Sequence, residues 1–403
     1  METHPTPGSS GAPTLPPRLL DSLEVHVAAL ERGFNVLLLP RQVMLAAYGP
    51  PVPADVSFTH GVPEASTVSA VTFAQDRGLR RALVERQGGK NIRGASFSSL
   101  SLDAAKAWAR KYRYPVTVKE LVGENPARAV RGVRNDRELE AAFNSLRLRH
   151  ESDRAPGKNP SASGYATTRL TFEVNEEGQE TAPAAARMLI ELDRPGTVIR
   201  GFVIGGRVIA AVRLGGQSGV GEEDVTDDLT EDQRAVMIMA CEAVPGLACA
   251  TVDVIVRAPG RRERLRAIIR GPRPPRLQAI EVSERPRAES YAEANPELPA
   301  RIGSAILEFQ AEVAGVALGE HITDGDYSVE IKGLLNPEDA SEELVSLLTA
   351  AGLDIEVVGL DPNEGTLVLD IEGSIRTLAT AMEMLVSGDL ISDKAASVKY
   401  LRK

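Results

Sequence analysis

The sequence of 403 residues is poor in cysteine, histidine and aromatic side chains. Its two cysteines, Cys241 and Cys249, lie eight positions apart without a second pair, which excludes a disulfide framework and a zinc knuckle. The five histidines are scattered without the spacing of metal ligands. No apolar run approaches the roughly 18 residues that a membrane-spanning helix needs. We therefore expect a protein of a reducing cytoplasm that does not cross a membrane.

Composition indicates a folded, globular protein. Hydrophobic residues make up 43% of the chain and charged residues 25%, and the length allows two or three domains. The net charge of −10 argues against a protein that wraps nucleic acid with its whole surface. Residues 1–17 are rich in proline, glycine and serine and lack the basic start and apolar centre of a signal peptide, so we expect a flexible tail there.

Helix and strand patterns alternate after residue 18. Leu19, Leu23 and Leu30 support a helix that is broken at Gly33, and residues 35–40 then have the pattern of a buried strand. This order is typical of an α/β layer, and we predict an N-terminal α/β subdomain over residues 18–95. Further helices are predicted at 74–87, 103–112, 136–146 and 230–244.

A lysine at a strand end is the first candidate for a functional residue. The β-rich run Val116–Val118 is followed by Lys119, after which a turn-forming segment returns to an apolar residue at Val130. An ammonium group beside a turn of small residues suits a nucleotide phosphate, because it is a point charge and nearby backbone N–H groups can surround the oxygens. The alternative is a lysine that is merely solvated.

Six segments carry patterns that occur together in one known superfamily. They are 69–77, 125–130, 189–191, 195–213, 252–255 and 281–286. In this order, over roughly residues 20 to 315, they resemble the ATP-grasp superfamily, and most closely its branch of cyanophycin synthetase and glutathione synthetase-like enzymes. The resemblance implies a core of three subdomains reaching to residue 318, with ATP-grasp subdomains at 96–318. A lid at about 114–187 would include a flexible insertion at 150–180.

The resemblance also implies a reaction and its residues. An ATP-grasp enzyme of this branch joins a carboxylate to an amine through an acylphosphate, with ATP and Mg²⁺, and we expect an amino-acid or peptide substrate here. The implied ATP-binding residues are Lys119, Asn125, Arg128 and Glu191. Arg200 or Arg213 is implied as the stabiliser of the acylphosphate, and the implied metal ligands are Asp253, Glu281 and Ser283.

Four departures from the family pattern support a different hypothesis. Alanines stand at Ala127 and Ala129, where the lid has glycines that let backbone approach phosphate closely. Ser283 replaces an asparagine of the metal site, and Arg77 replaces a lysine. The alternative is therefore a catalytically degenerate ATP-grasp protein with a binding, assembly or regulatory role.

The segment 257–276 holds eight arginines against one acidic residue, Glu263. It could be a landing site for a polyanion, or a strand over 265–269 edged by solvated arginines. No aromatic residue interleaves with the arginines, so base stacking is not indicated and we do not expect nucleic acid as a partner.

The last part of the chain, 322–403, shows the order strand, helix, strand, strand, helix, strand that is typical of a ferredoxin-like domain. It lacks the stacking aromatics of an RNA-recognition sheet, so we expect it to serve in homo-oligomerisation or in regulation by a small molecule. The predicted fold class is thus α/β (α+β), an ATP-grasp core followed by a ferredoxin-like domain.

Overall fold

The computed structural model describes residues 15–48, 56–122, 129–153, 173–174, 180–181, 187–216, 220–257 and 275–403. The chain divides into two compact units. The first unit comprises Met1–Ala65, Arg287–Glu289 and Pro296–Lys403, and the second comprises Ser66–Pro286 and Ser290–Asn295. Both combine helices with antiparallel sheets, which confirms the predicted α/β (α+β) class. Among the described residues, no helix has both the length and the apolar character that crossing a bilayer requires.

The first unit is built on an eight-stranded antiparallel sheet. Its strands are β1 (Asn35–Leu39), β2 (Val43–Ala47), β3 (Val56–Thr59), β4 (Val62–Pro63), β16 (Asp324–Lys332), β17 (Asp354–Asp361), β18 (Thr366–Ser374) and β19 (Ser397–Arg402), in the order β17-β18-β16-β19-β1-β2-β3-β4. Its helices are α1 (Leu20–Glu31), α8 (Leu298–Ala314), α9 (Pro337–Ala350) and α10 (Ile375–Ser387). Helix α1 packs against both α8 and α10. Gly303 of α8 permits the first contact, because a Cβ atom there would lie 2.3 Å from the carbonyl oxygen of Glu24.

The last six elements of the chain follow the predicted order, with α9 after β16 and α10 after β18. Their sheet does not stop at this group of strands. β19 pairs with β1 through Leu37 opposite Lys399 and Leu38 opposite Val398, so the sheet continues into the beginning of the chain. The two units therefore differ from the predicted division at residues 95 and 322, and the ferredoxin-like domain stays a prediction.

The described residues of the second unit form two larger antiparallel sheets and one pair of short strands. The four-stranded sheet has the order β5-β10-β6-β7, with β5 (Gly94–Ser98), β6 (Val116–Glu120), β7 (Val130–Val133) and β10 (Arg187–Leu192). Helices α4 (Leu102–Tyr112) and α5 (Asp136–Asp153) cover it, and an apolar core that includes Phe143 and Ile190 lies between helices and sheet. A separate pair of short strands, β8 (Glu173–Val174) and β9 (Glu180–Thr181), lies at the end of the predicted insertion 150–180 and extends one residue beyond it.

The five-stranded sheet has the order β13-β12-β11-β14-β15. Its strands are β11 (Thr197–Ile204), β12 (Arg207–Leu214), β13 (Gly221–Asp224), β14 (Cys249–Arg257) and β15 (Arg276–Ser283). Helix α6 (Glu231–Glu242) packs on this sheet and begins with a capping box between Thr230 and Gln233, which satisfies backbone N–H groups at the helix start. The four residues 193–196 connect β10 of one sheet with β11 of the other.

Three local expectations need correction. The helix predicted at 74–87 is two helices, α2 (Val68–Gln75) and α3 (Arg77–Arg86), because the extended residue Asp76 caps α3 by accepting from Gly78 and Leu79 N–H. Helix α5 extends beyond the predicted residue 146 to Asp153. Strand β2 and helix α8 were not predicted, and a four-residue helix, α7 (Glu289–Ala292), precedes α8.

Candidate functional site

A cleft of about 320 Å³ opens between the two sheets of the second unit. Strands β6 and β10 contribute to one wall and β11, β12, β14 and β15 to the other, and residues of the connection 193–196 also line the cleft. The charged residues of the lining are Lys119, Arg131, Glu191, Asp193, Arg194 and Arg213. Its volume lies in the range of about 300–1,000 Å³ that is usual for small-molecule sites. Four cationic side chains against two carboxylates make the lining favourable for an anion.

Lys119 and Glu191 lie together on the wall of the four-stranded sheet, as the sequence prediction requires of a shared site. Antiparallel pairing puts Leu189 opposite Lys119 and Thr117 opposite Glu191. The Lys119 ammonium is 2.9 Å from Oε2 of Glu191, and Arg81 of α3 pairs with Oε1 of the same carboxylate. Both predicted residues are buried. Glu191 therefore orients the lysine, and its charge is balanced by two cations.

Arg200 and Asp253 form a bidentate ion pair on the neighbouring strands β11 and β14, where they lie directly opposite each other. Nε and Nη2 of Arg200 donate to the two carboxylate oxygens at 2.7 and 2.8 Å. Burial by itself lowers the pKa of Arg200, but the charge of Asp253 and the hydrogen bonds to it act in the other direction and hold the pKa above its usual value. Both side chains are buried and neither lines the cleft.

Glu281 lies opposite Asp253 on β15 and meets cations on both of its oxygens. Arg80 pairs with Oε1, and Arg77 lies 3.3 Å from Oε1 and 3.4 Å from Oε2. The Lys119 ammonium is 3.8 Å from Oε2. Burial lowers the pKa of Arg80, while the charge of Glu281 raises it. An arginine stays protonated in any case, so Glu281 is the carboxylate of a buried cationic cluster.

The three predicted metal ligands do not fit a magnesium site in this arrangement. Mg²⁺ needs oxygen ligands in octahedral geometry, with carboxylate oxygens open to it. Both oxygens of Asp253 and of Glu281 face protein cations, and the Ser283 hydroxyl accepts from the backbone N–H of Arg285 at 3.3 Å. Within the described part of the chain, no group of three or more histidine, cysteine or acidic residues could hold a metal ion.

The remaining predicted site residues do not come together at one place among the described residues. Arg213 lies in the lining of the cleft, half exposed and paired with Glu223, whereas its predicted partner in catalysis, Arg200, is held by Asp253. Asn125, Ala127 and Arg128 lie outside the described residues. Residues 258–274, most of the arginine-rich segment, lie outside them as well. Ala129 is described and lies one residue before β7. The roles assigned to these residues stay predictions.

Two arginines that pair with the buried carboxylates were not predicted from the sequence: Arg80, which pairs with Glu281, and Arg81, which pairs with Glu191. Together with Arg77 they occupy positions i, i+3 and i+4 of α3, which places three cations along one part of the helix surface. Arg80 also donates to the carbonyl of Val282 at 2.6 Å, and Arg77 to the carbonyl of Glu120 at 2.7 Å. The spacing indicates a cationic helix face, but it does not show that Arg77 and Arg80 pair with Glu281 while Arg81 pairs with Glu191.

Comparisons with known proteins give a likeness to solved structures. No family model matches the sequence, and no curated protein matches it. The chain is similar to the ATP-grasp ligase PsnB in complex with a minimal precursor, at 14% identity and a TM-score of 0.38, over 61% of this chain and 63% of that chain. It is similar to the D-alanine–D-alanine ligase of Bacillus anthracis, at 12% identity and a TM-score of 0.39, over 62% of this chain and 71% of that chain. It is also similar to the D-alanine–D-alanine ligase of Coxiella burnetii, at 11% identity and a TM-score of 0.39, over 62% of this chain and 60% of that chain. Less than two thirds of the PsnB chain is thus matched, and likeness at these values says nothing about activity.

Proposed function

We propose that this chain is an ATP-grasp protein that binds ATP in the cleft between its two antiparallel sheets, and that it acts as an ATP-dependent carboxylate–amine ligase. The observation that carries the proposal is the cationic cleft itself, with Lys119 on one wall, Arg213 on the other and Arg194 of the connection 193–196 in its lining. The order of the sequence segments that resemble the superfamily supports the same assignment. The finer branch of cyanophycin synthetase and glutathione synthetase-like enzymes remains part of the proposal.

The residues of the cleft have separate tasks in such a reaction. A substrate carboxylate oxygen attacks the γ-phosphorus of ATP, ADP leaves, and the acylphosphate is then attacked by an amine with loss of phosphate and a proton. This chemistry depends mainly on positioning and on charge neutralisation. Lys119, Arg131 and Arg213 supply positive charge to the phosphates, and Glu191 keeps the lysine in place. The resemblance implies magnesium, but the described residues at the predicted metal positions do not fit it, because their carboxylates are paired with arginines.

Nucleotide binding is the first test. Titration calorimetry with ATP or a non-hydrolysable analogue should give saturable binding that is lost or weakened at least about tenfold in Lys119→Ala, since one charge-assisted contact contributes about 1.5–3 kcal/mol. Lys106→Ala is the matched control, because Lys106 pairs with Glu140 outside the cleft lining. Equal loss in both variants, or no binding by the wild type, contradicts the proposal.

Turnover is the second test. Protein that binds the nucleotide should release ADP when candidate carboxylates and amines are supplied, with amino acids and short peptides as the predicted substrates. Arg213→Gln should lower the rate, because Arg213 lies on the cleft wall and is half exposed. The acyl donor and the amine acceptor would be identified by mass spectrometry of the product.

A second candidate function is nucleotide binding without ligation, in a regulatory or assembly role. The observation that favours it is that the two carboxylates predicted as metal ligands are engaged by Arg200, Arg77 and Arg80. Binding without ADP release over the whole substrate panel would select this candidate. Homo-oligomerisation is expected under either function and can be measured by light scattering.

A further inference from the structure

The arginines around Asp253 and Glu281 have a consequence for the form of the nucleotide. In a magnesium-dependent site, carboxylates hold the metal and the metal neutralises phosphate charge. Here each of the two carboxylates has both oxygens facing protein cations. Their side chains are 7% and 8% exposed, so little water is available to take the place of these contacts.

Displacing the arginines would be costly. Arg200 makes two parallel hydrogen bonds to Asp253, the geometry in which a guanidinium pairs most strongly with a carboxylate. Arg77 and Arg80 are further tied to backbone carbonyls of β6 and β15, at 2.7 and 2.6 Å. A metal that took either carboxylate would leave buried guanidinium groups without their counter-charge.

Positive charge in the cleft comes from protein side chains and not from a metal ion held by Asp253 and Glu281. Lys119, Arg131, Arg194 and Arg213 line it, against Glu191 and Asp193. On the β14 and β15 side the lining is formed by Ile255 and Ile280, and Asp253 and Glu281 do not belong to it. On this side a ligand in the cleft therefore faces apolar side chains where a metal site would present carboxylates.

We infer that the cleft binds the metal-free form of a nucleoside polyphosphate, with protein cations in place of magnesium, and that Arg77, Arg80 and Arg200 keep the two carboxylates from acting as metal ligands. The inference rests on the nucleotide binding of the proposed function and specifies the ligand form. The metal-free nucleotide carries two more negative charges than its magnesium complex, so it is the better electrostatic match for a cationic lining.

The experiment is titration calorimetry of the full chain with the non-hydrolysable ATP analogue, once in EDTA and once in excess MgCl₂. We expect affinity in EDTA to be equal to that in magnesium within about threefold, a difference of about 0.7 kcal/mol, or to be tighter. Affinity that is tighter in magnesium by more than this factor overturns the inference and leaves the proposed function standing. Absence of binding in both media overturns the proposed function.

A pair of variants tests the assigned cause. Asp253→Asn and Glu281→Gln remove one carboxylate charge each while keeping size. We expect the ratio of the affinity in magnesium to that in EDTA to remain within about threefold of the wild-type ratio, as for the surface control Glu140→Gln. A ratio that falls further, through weaker binding in magnesium alone, identifies a metal ligand and overturns the inference. Because the readout is a ratio within one protein, lower stability of a variant affects both media alike, and a variant that does not fold leaves the decision to the wild type.

Discussion

Replacing Glu281 by glutamine should destabilise the second unit markedly. The side chain is 8% exposed and balances Arg77 and Arg80, whose side chains are 3% and 6% exposed. The amide keeps the volume of the carboxylate, so packing changes little. It removes the negative charge, and its NH₂ group cannot accept a hydrogen bond from a guanidinium.

The size of the expected loss of stability follows from the burial of Arg77 and Arg80. Removing one member of a buried ion pair costs about 3–5 kcal/mol, because the remaining charge stays away from water. We take about 3 kcal/mol, since the amide oxygen still accepts one of the hydrogen bonds. For a unit of this size each kcal/mol corresponds to about 2–4 °C, so the melting temperature should fall by about 6–12 °C.

The assay is thermal unfolding followed by tryptophan fluorescence in EDTA. Trp108, the sole tryptophan of the sequence, lies on α4 between Phe97 and Tyr112 and therefore reports on the second unit. The control is Glu140→Gln, because Glu140 is half exposed and pairs with Lys106 at the surface. An exposed pair contributes about 0–1 kcal/mol, which predicts a shift of no more than about 4 °C.

A melting temperature of Glu281→Gln that does not fall would refute the assignment of Glu281 to a buried ion pair. If Glu281 were one of a group of mutually repelling carboxylates awaiting a metal, glutamine would relieve repulsion in the metal-free protein. The melting temperature in EDTA would then stay at the wild-type value or rise. Such an outcome would show that Glu281 is not held in an ion pair and would support a magnesium site at this position.

Three further predictions concern other parts of the chain. Gly303→Ala should cost about 1–3 kcal/mol in urea unfolding, because its Cβ would lie 2.3 Å from the carbonyl oxygen of Glu24 and force α1 and α8 apart; unchanged stability would contradict that close approach. Burial raises the pKa of Tyr327 to about 12. The stability that the neutral phenol contributes should therefore be complete below about pH 10 and be lost as the pH rises through 12, and Tyr327→Phe should remove this part of the pH dependence of unfolding. Burial also raises the pKa of the Cys241 thiol to about 12, so a thiol reagent at about pH 8 should react with Cys241 only after unfolding, and rapid labelling of the native protein would contradict its burial.

Much of the local structure was predictable from the sequence. The helices at 20–31, 102–112 and 231–242 and the strands at 35–39 and 116–120 lie close to their predicted positions, because apolar periodicity and turn residues act within a few positions. The break at Asp76 was missed, since its signal is a single capping side chain. Strand β2 was missed because its run, Val43–Ala47, ends in two alanines, which are weak strand formers.

The candidate site was predictable only in part. The sequence by itself determined which residues carry charge at strand ends, and Lys119 and Glu191 do meet on adjacent strands. What the charges pair with depends on strand register and on which helix packs beside the strand. Arg77 and Glu281 are 204 positions apart, and no local rule relates them.

The contrast between local signals and long-range pairing holds throughout the chain. Local propensity determined most helices and strands and their α/β order, and composition determined a folded, globular protein. Only the tertiary structure decided that β19 joins β1 in one sheet, and that Asp253 and Glu281 face arginines where a metal was predicted. Long-range pairing reflects the burial of charge and apolar surface over the whole unit, and that energy is not contained in any one segment.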